Sequence, residues 1–454
     1  MNLLSRFFRG NRGNKYNNSF FSFFGGGEAK YDYNKIDYIE KGYNINPFVY
    51  SIVSARANKF SAVPFEICEI SDEEAESEYR KLLQTTKHNL TPQQKYRANK
   101  LYKKAYGGIK DFKLDSPNPL QSWTEFRELF EIYLATVGEV YIYKLSPDGG
   151  ADAGSPIALY LLPSHYMEIV IKNGYKIEDL ESPVEKYMFI EGDQYTEFNP
   201  DEIIHVKYAN PNYDVQATSI YGNAPLRACW KNVISSNEAL GLNIKTMKNA
   251  GAFGIIHAKG GTSLTEPQAK ALKEKLKQMD AGSDRLDKIA GVSSEIGFTR
   301  LTLPTKDLQQ FDFLKFDEKQ ICNALGWDAK LLNNDDGAKY DNYKSAQKRV
   351  LIDTIVPDLN IFKQVFNEKI LPLYGDTYKN HRLEYKINDL PEMQEDMKNL
   401  VEWCAIANDK AFISKNDARE FMGLDRVDDE NMNLFTTTDD LLTLDQSLDD
   451  FPAV

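Results

Sequence analysis

APLRACWKNVISSNEALGLNIKTMKNAG, residues 224–251, reads as one long helix. Pro225 lies in the first turn, where a missing N–H costs little, and the pattern runs to Ala250-Gly251, so about 26 residues rise roughly 39 Å. Leu226, Cys229, Trp230, Val233, Leu240, Ile244 and Met247 fall on one stripe at helical spacing, broken only by Asn237. Arg227, Lys231, Ser235, Glu238, Lys245 and Lys248 fall on the opposite face. Such a helix needs a partner. Leu308, Phe311, Leu314, Ile321 and Leu325 supply the apolar positions of a second one, expected over residues 306–327 and running back. Between the two, residues 254–258 and 298–303 read as strands, and Thr265-Glu266-Pro267-Gln268 as a capping box opening a helix that continues to Met279. The pattern is a stalk carrying a small knob.

Working outward, residues 1–44 read as a flexible arm, with Gly25-Gly26-Gly27, many asparagines, and aromatics without periodicity. Its cluster Phe20, Phe21, Phe23 and Phe24 is compatible with docking on a neighbouring copy, with local packing or with disorder. Residues 47–60 read as a helix and 63–70 as a strand. Residues 71–110 hold a charged helical pair, the second helix capped by Thr91-Pro92-Gln93-Gln94. Ser122-Trp123-Thr124-Glu125 caps another helix with Trp123, Phe126, Leu129, Phe130, Tyr133 and Val137 on its buried side. Residues 139–208 alternate as short strands, with Asn173-Gly174 as a hairpin turn. This is an α+β body. After Leu331-Leu332, the polar run Asn333-Asn334-Asp335-Asp336-Gly337 breaks the chain. A helix then starts near Tyr343 and passes Val350, Ile355, Phe362 and Phe366 to Ile370. Residues 391–408 and 414–423 form a small helical unit before an acidic tail. No internal repeat is visible.

The 454 residues are 42% hydrophobic, enough for a large core, and contain no apolar run near the roughly 20 residues that cross a bilayer. No signal peptide and no membrane association are expected. Cys68, Cys229, Cys322 and Cys404 are far apart in apolar patterns, so buried thiols in a reducing compartment are expected. The net charge is −12, much of it in residues 425–454, where nine acidic residues stand against one basic; residues 1–15 hold four basic residues and no acid. Such a chain is poorly suited to gripping duplex DNA, because non-specific affinity comes from cations that displace counterions. It could still surround DNA and let it slide.

Catalytic and metal-binding patterns are missing. His88, His165, His205, His257 and His381 have no partner at ligand spacing, and no HExxH, CxxC, GxSxG or GxxxxGK[ST] occurs. Lys259-Gly260-Gly261-Thr262 reads as a turn. Placing Gly337 at the sixth position of a calcium loop puts Leu332 first and Tyr343 twelfth, where carboxylates are required, so calcium is rejected. No metal, cofactor or catalytic residue is expected. Residues 397–424 have a helix-turn-helix look, but Lys415 and Arg419 share the second helix with Asp417 and Glu420, which suits DNA reading badly.

Several blocks in serial order carry a resemblance: NPFVYSIVSARANKFSAVPFEI (46–67), PNPLQSWTEFRELFEIYLATVGEVYIY (117–143), YGNAPLRACWKNV with NIKTMKNAGAFGIIHA (221–258), GFTRLTLPTKDLQQFDFLKFDEKQICNALGWDAKLL (297–332), YDNYKSAQKRVLIDTIVPDL (340–359) and ANDKAFISKNDAREFMGLD (407–425). Together they resemble the HK97-type portal proteins of tailed bacteriophages. The resemblance implies a portal fold assembled as a ring, a dodecamer, at one capsid vertex. The implied parts are an N-terminal arm (1–44), a wing (45–223, with an insertion at 71–110), a two-helix stem (224–251 and 306–326), a β-α-β clip (252–305), a tunnel loop region (327–344), a long helix returning to the wing (345–390), a helical crown (391–424) and the acidic tail (425–454). The tail is expected to be mostly disordered rather than a docking segment.

Implied partners are further copies of the chain, duplex DNA passing through the channel during packaging and ejection, the large terminase, the major capsid protein with its scaffold, and a head–tail adaptor. Terminase would supply ATP hydrolysis. The virion is the implied location, after assembly in the bacterial cytoplasm. Tunnel-loop candidates are Asn333, Asn334, Asp335, Asp336, Gly337, Lys339 and Lys344, with an ordinary solvated connector as the alternative. Lys231, Lys245 and Lys248 are candidates for facing the lumen, against solvated or intersubunit roles. Ile255, Ile256, Phe298 and Leu301 are the clip positions. Two other classes stay open: a cytosolic enzyme with a dispersed active site, and a helix-turn-helix regulator.

Overall fold

The computed structural model describes residues 35–86, 90–110, 112, 114–147, 155–172, 182–211, 220–248, 254–258, 266–267, 270, 274, 296–300, 310–332, 340–375, 378–387, 390–393, 397–422, 424 and 426–435. In chain order the main elements are α1 (Pro47–Ala62), β1 (Phe65–Ile70), α2 (Glu73–Thr86), α3 (Pro92–Ala105), β2 (Tyr106–Lys110), α4 (Trp123–Thr136), β3 (Glu139–Leu145), β4 (Ala158–Leu162), β5 (Met167–Ile171), β6 (Val184–Glu191), β7 (Gln194–Phe198) and β8 (Ile203–Lys207). Then follow α5 (Pro225–Lys248), β9 (Gly254–Ala258), β10 (Ile296–Arg300), α6 (Gln310–Ala324), α7 (Tyr340–Val350), α8 (Val356–Val365), β11 (His381–Tyr385), α9 (Met397–Asp409) and α10 (Lys415–Phe421). The described residues divide into two compact units: Ser51–Pro225 with everything from Leu325 onward, and the residues up to Tyr50 with Leu226–Ala324.

The first unit is α+β. Its three antiparallel sheets have strand orders β11-β1-β2, β4-β3-β8 and β5-β6-β7. β1 pairs with β11 from Phe65↔Tyr385 to Glu69↔His381, which closes the unit across most of the chain's length. An aromatic core holds it: Phe60 stacks on Phe130 (5.9 Å), and Phe362 meets Phe130 edge-on (5.1 Å). The Thr91 and Ser122 capping boxes form as expected, each side chain accepting from the third backbone N–H. β2 departs from the reading of residues 71–110 as a helical pair alone. Tyr106-Gly107-Gly108-Ile109 carries no strand signal of its own and becomes a strand because β1 offers it an edge.

From Tyr340 to Ile370 the helix is continuous but locally widened at Leu351–Ile355 and Phe366–Ile370. Pro357 follows the first widened turn, which accommodates the ring and the missing N–H. Leu351, Ile355, Leu359, Phe362, Phe366 and Ile370 are all buried. Ser414 caps α10 with Asp417, and Trp403 of α9 meets Phe421 of α10 edge-on at 5.2 Å. Asn416 holds the start of the acidic tail: its side chain donates to the Val427 carbonyl (2.8 Å), accepts from the Val427 N–H (2.9 Å) and reaches Asn433 (2.8 Å). Residues 426–435 of the tail are therefore docked, against the expectation for that part. The remainder lies outside the described residues, as do the arm to residue 34 and the Asn173-Gly174 turn.

The second unit is built on α5. Residues 35–43, expected to belong to a flexible arm, are helical, Lys35–Asp37 continuing as wider turns over Tyr38–Tyr43. Tyr38 meets Trp230 edge-on at 5.0 Å, and Gly42 lies against Leu226 and Trp230, each 3.4 Å from where a Cβ would stand, so this segment rests on α5. β9 and β10 pair antiparallel from Gly254↔Arg300 to Ala258↔Ile296.

Candidate functional site

The approach to α5 is fixed by two glycines and a buried acid. Gly138 ends α4 at φ +82, and a Cβ there would stand 2.5 Å from the Asn223 carbonyl oxygen. A Cβ on Gly222 would stand 2.1 Å from the Gly138 carbonyl oxygen, so the two segments touch backbone to backbone. Glu139, fully buried, accepts from the Gly222 N–H at 2.8 Å and lies 3.2 Å from His205 Nε2.

Within the second unit Asn46 does two jobs. Its Oδ1 accepts from the N–H groups of Phe48 and Val49, capping α1 just ahead of Pro47. Its Nδ2 lies within hydrogen-bond distance of Ser236 Oγ (2.6 Å), Asn237 Oδ1 (2.9 Å) and the Val233 carbonyl (3.3 Å) on α5. Asn237 in turn donates to the Lys41 carbonyl at 2.9 Å. The one polar break in the apolar stripe of α5 is thus the anchor for the preceding segment. Asn232 donates to Asp317 Oδ1 at 2.7 Å, bridging α5 to α6.

The stripe is buried only along part of its length. Leu226, Cys229, Trp230 and Val233 are buried, Leu240 is half-buried and Ile244 is 55% exposed, and off the stripe, on the opposite face, Leu242 is 46% exposed. On α6 the C-terminal Ile321 and Cys322 are buried while Phe313 and Phe316, nearer its start, are 60% and 55% exposed. Apolar surface therefore stands open where α5 ends and α6 begins. Lys231 is exposed on α5, and Lys245 and Lys248 belong to the same helix. Ile256 stands opposite Phe298 and Ile255 opposite Thr299 in the β9–β10 ladder. Leu301 lies outside the described residues.

The chain leaves α6 through Gly326 at φ +65, whose carbonyl accepts from Thr354 Oγ1 at 2.6 Å. Asp328 caps the short turn Ala329–Leu331 and pairs with Arg349 of α7 at 2.5 Å, tying together the two sides of the polar run. Asn333, Asn334, Asp335, Asp336, Gly337 and Lys339 lie outside the described residues; Lys344 is exposed on α7. Just ahead, the Arg56 guanidinium donates to the Leu325 carbonyl and to two buried carboxylates, Glu131 and Asp358. Burial opposes the Arg56 charge, but Glu131, Tyr208 and Asp358 outweigh it and hold the guanidinium cationic.

Among the described residues no cluster of three or more metal-ligating side chains occurs, and no helix is long and apolar enough to cross a membrane. All four cysteines are buried and outside any disulfide, and burial pushes Cys229 up to about 12. The arrangement offers surfaces, anchors and turns.

The family profile for phage portal protein matches residues 47–423. This chain belongs to the phage portal protein family. Its role is that family's, a head-to-tail connector, and the class is structural. An uncharacterized protein of Rickettsia bellii (strain RML369-C) is 22% identical over 330 residues, 70% of this portal-family chain and 78% of that protein. A chain in the neck of a native gene transfer agent particle, computed with C12 symmetry, matches at TM-score 0.55 with 18% identity, covering 87% of this chain and 95% of that one. At that identity the likeness is one of fold. A looser match, at TM-score 0.47 and 10% identity over 77% of this chain and 98% of that one, is the crystal structure of an HK97 family phage portal protein from Corynebacterium diphtheriae.

Sequence reasoning missed Asn46, although an Asn before a Pro that opens a helix is a capping signal. It also missed Arg127 and Glu131, buried on α4 beside the aromatic residues it named, because charged residues on an amphipathic helix read as solvated.

Proposed function

We propose that copies of this chain close into a ring, dodecameric as in the C12 neck of the gene transfer agent particle, at one capsid vertex, with duplex DNA passing through its hole. In this reading residues 45–223 are the wing, 224–251 and 306–326 the stem, 252–305 the clip, 327–344 the tunnel loop region and 391–424 the crown. Terminase docks at the clip during packaging, a head–tail adaptor takes its place later, and the capsid and scaffold proteins surround the ring.

The exposed apolar residues Leu242, Ile244, Phe313 and Phe316 carry the proposal. Four large apolar side chains on two neighbouring elements of one unit are unexplained in a solitary chain and natural at a repeated head-to-tail contact. The helix-turn-helix reading loses support, because α10 has only 7 residues and its Asp417 and Glu420 carboxylates are engaged by Arg426 of the tail. Negative-stain microscopy and light scattering of the purified chain test the ring. Rings with a hole wide enough for duplex DNA are expected; a stable, well-folded monomer at high concentration would sink the reading.

A further inference from the structure

Arg56 of α1, Glu131 of α4, Asp358 of α8 and Tyr208, which follows β8, converge at Leu325, and the connector role gives them no task. Both carboxylates touch the same guanidinium nitrogen: Nη2 is 2.8 Å from Glu131 Oε1 and 2.6 Å from Asp358 Oδ2. Nε donates to Glu131 Oε1 at 2.9 Å, and the Tyr208 hydroxyl donates to Asp358 Oδ1 at 2.6 Å. Nη1 donates to the Leu325 carbonyl at 2.6 Å. Three of the four carboxylate oxygens therefore have a donor. The fourth, Glu131 Oε2, is buried and has none. With both acids ionised, one guanidinium would face two negative charges out of water, leaving one uncompensated.

A proton on Glu131 Oε2 removes both faults, because it cancels the excess charge and turns the orphaned acceptor into a donor to Asp358. We propose that folded Glu131 keeps this proton at neutral pH, and that the four side chains form a proton-dependent clamp on the Leu325 carbonyl, one residue ahead of the left-handed Gly326. The groups facing Glu131 are Arg56, Asp358 and Tyr208. Burial first, then the Asp358 charge, push the Glu131 carboxyl up to about 8 against the pull of Arg56. Asp358 is raised in the same direction, by burial, and burial holds the Tyr208 hydroxyl protonated. A folded value above the ordinary Glu value of about 4.3 makes the clamp's contribution complete below that pH. It declines as pH rises toward about 8 and is flat beyond.

Infrared spectroscopy of the wild-type assembly at pH 7 tests the proton directly, since ordinary carboxylates are ionised there. A protonated-carboxyl band is expected that disappears at pH well above 8 and is absent from Glu131→Gln, where the amide supplies the same donor and acceptor. The unfolding equilibrium constant of wild type relative to Glu131→Gln should rise by up to about tenfold per pH unit between pH 5 and 8, then level off. A wild-type spectrum at pH 7 without the band, a band that survives in Glu131→Gln, or parallel pH profiles would each overturn the clamp. A Glu131→Gln chain that fails to fold would also count against it, because the variant reproduces the protonated side chain.

Discussion

At the scale of single residues, the fold is decided by positions where a backbone is approached closely or a buried polar group has several partners. Asn46 caps α1 and bonds to α5, so Asn46→Ala removes a cap worth about 1 kcal/mol and leaves Ser236 and Asn237 short of a partner. A loss of about 2–3 kcal/mol is expected in chemical denaturation, with an unchanged value refuting the anchor. Gly222→Ala is expected to be harsher. Its Cβ would collide with the Gly138 carbonyl 2.1 Å away, which is backbone and cannot swing aside, so the two segments must separate and the Glu139 bond to Gly222 lengthen. A drop in melting temperature larger than that of Asn46→Ala is the expected result.

At the scale of elements, α5 shows what was legible and what was not. Its apolar periodicity identified the helix and the face that needs cover, and the capping boxes at Thr91 and Ser122 were readable because each is a local exchange of hydrogen bonds. The exposed half of the stripe was not distinguishable from the buried half, since hydropathy pattern reports a face that wants cover and not whether the chain supplies it. β2, the helical segment at Lys35–Tyr43 and the docked start of the tail escaped for a related reason: each owes its structure to a distant partner, β1, α5 and Asn416 respectively. The candidate loop was legible only as composition. If the exposed apolar residues of α5 and α6 are covered by neighbouring copies, Phe313→Glu with Phe316→Glu leaves the single chain folded, because both side chains already face solvent. Circular dichroism should match wild type while light scattering shows loss of the ring. Rings of normal size from the double variant would count against that cover.

At the scale of the whole molecule, charge separates a guide from a grip. The net charge of −12 works against a tight hold on phosphate, so the assembly should bind free duplex weakly and lose little affinity as salt rises. If duplex passes through the proposed ring, contact with it then falls to short polar groups, and residues 333–338 are a rich run of them. The body is arranged to tolerate their removal: Asp328 and Arg349 tie the flanks together at 2.5 Å, and Thr354 holds the Gly326 carbonyl independently. Deleting residues 333–338 should accordingly leave rings of normal size and thermal stability while lowering the amount of DNA packaged or retained per particle. Normal yields of DNA-filled particles would remove the segment from the channel and leave it an ordinary connector, whereas loss of the ring itself would mean that it belongs to the contact between copies.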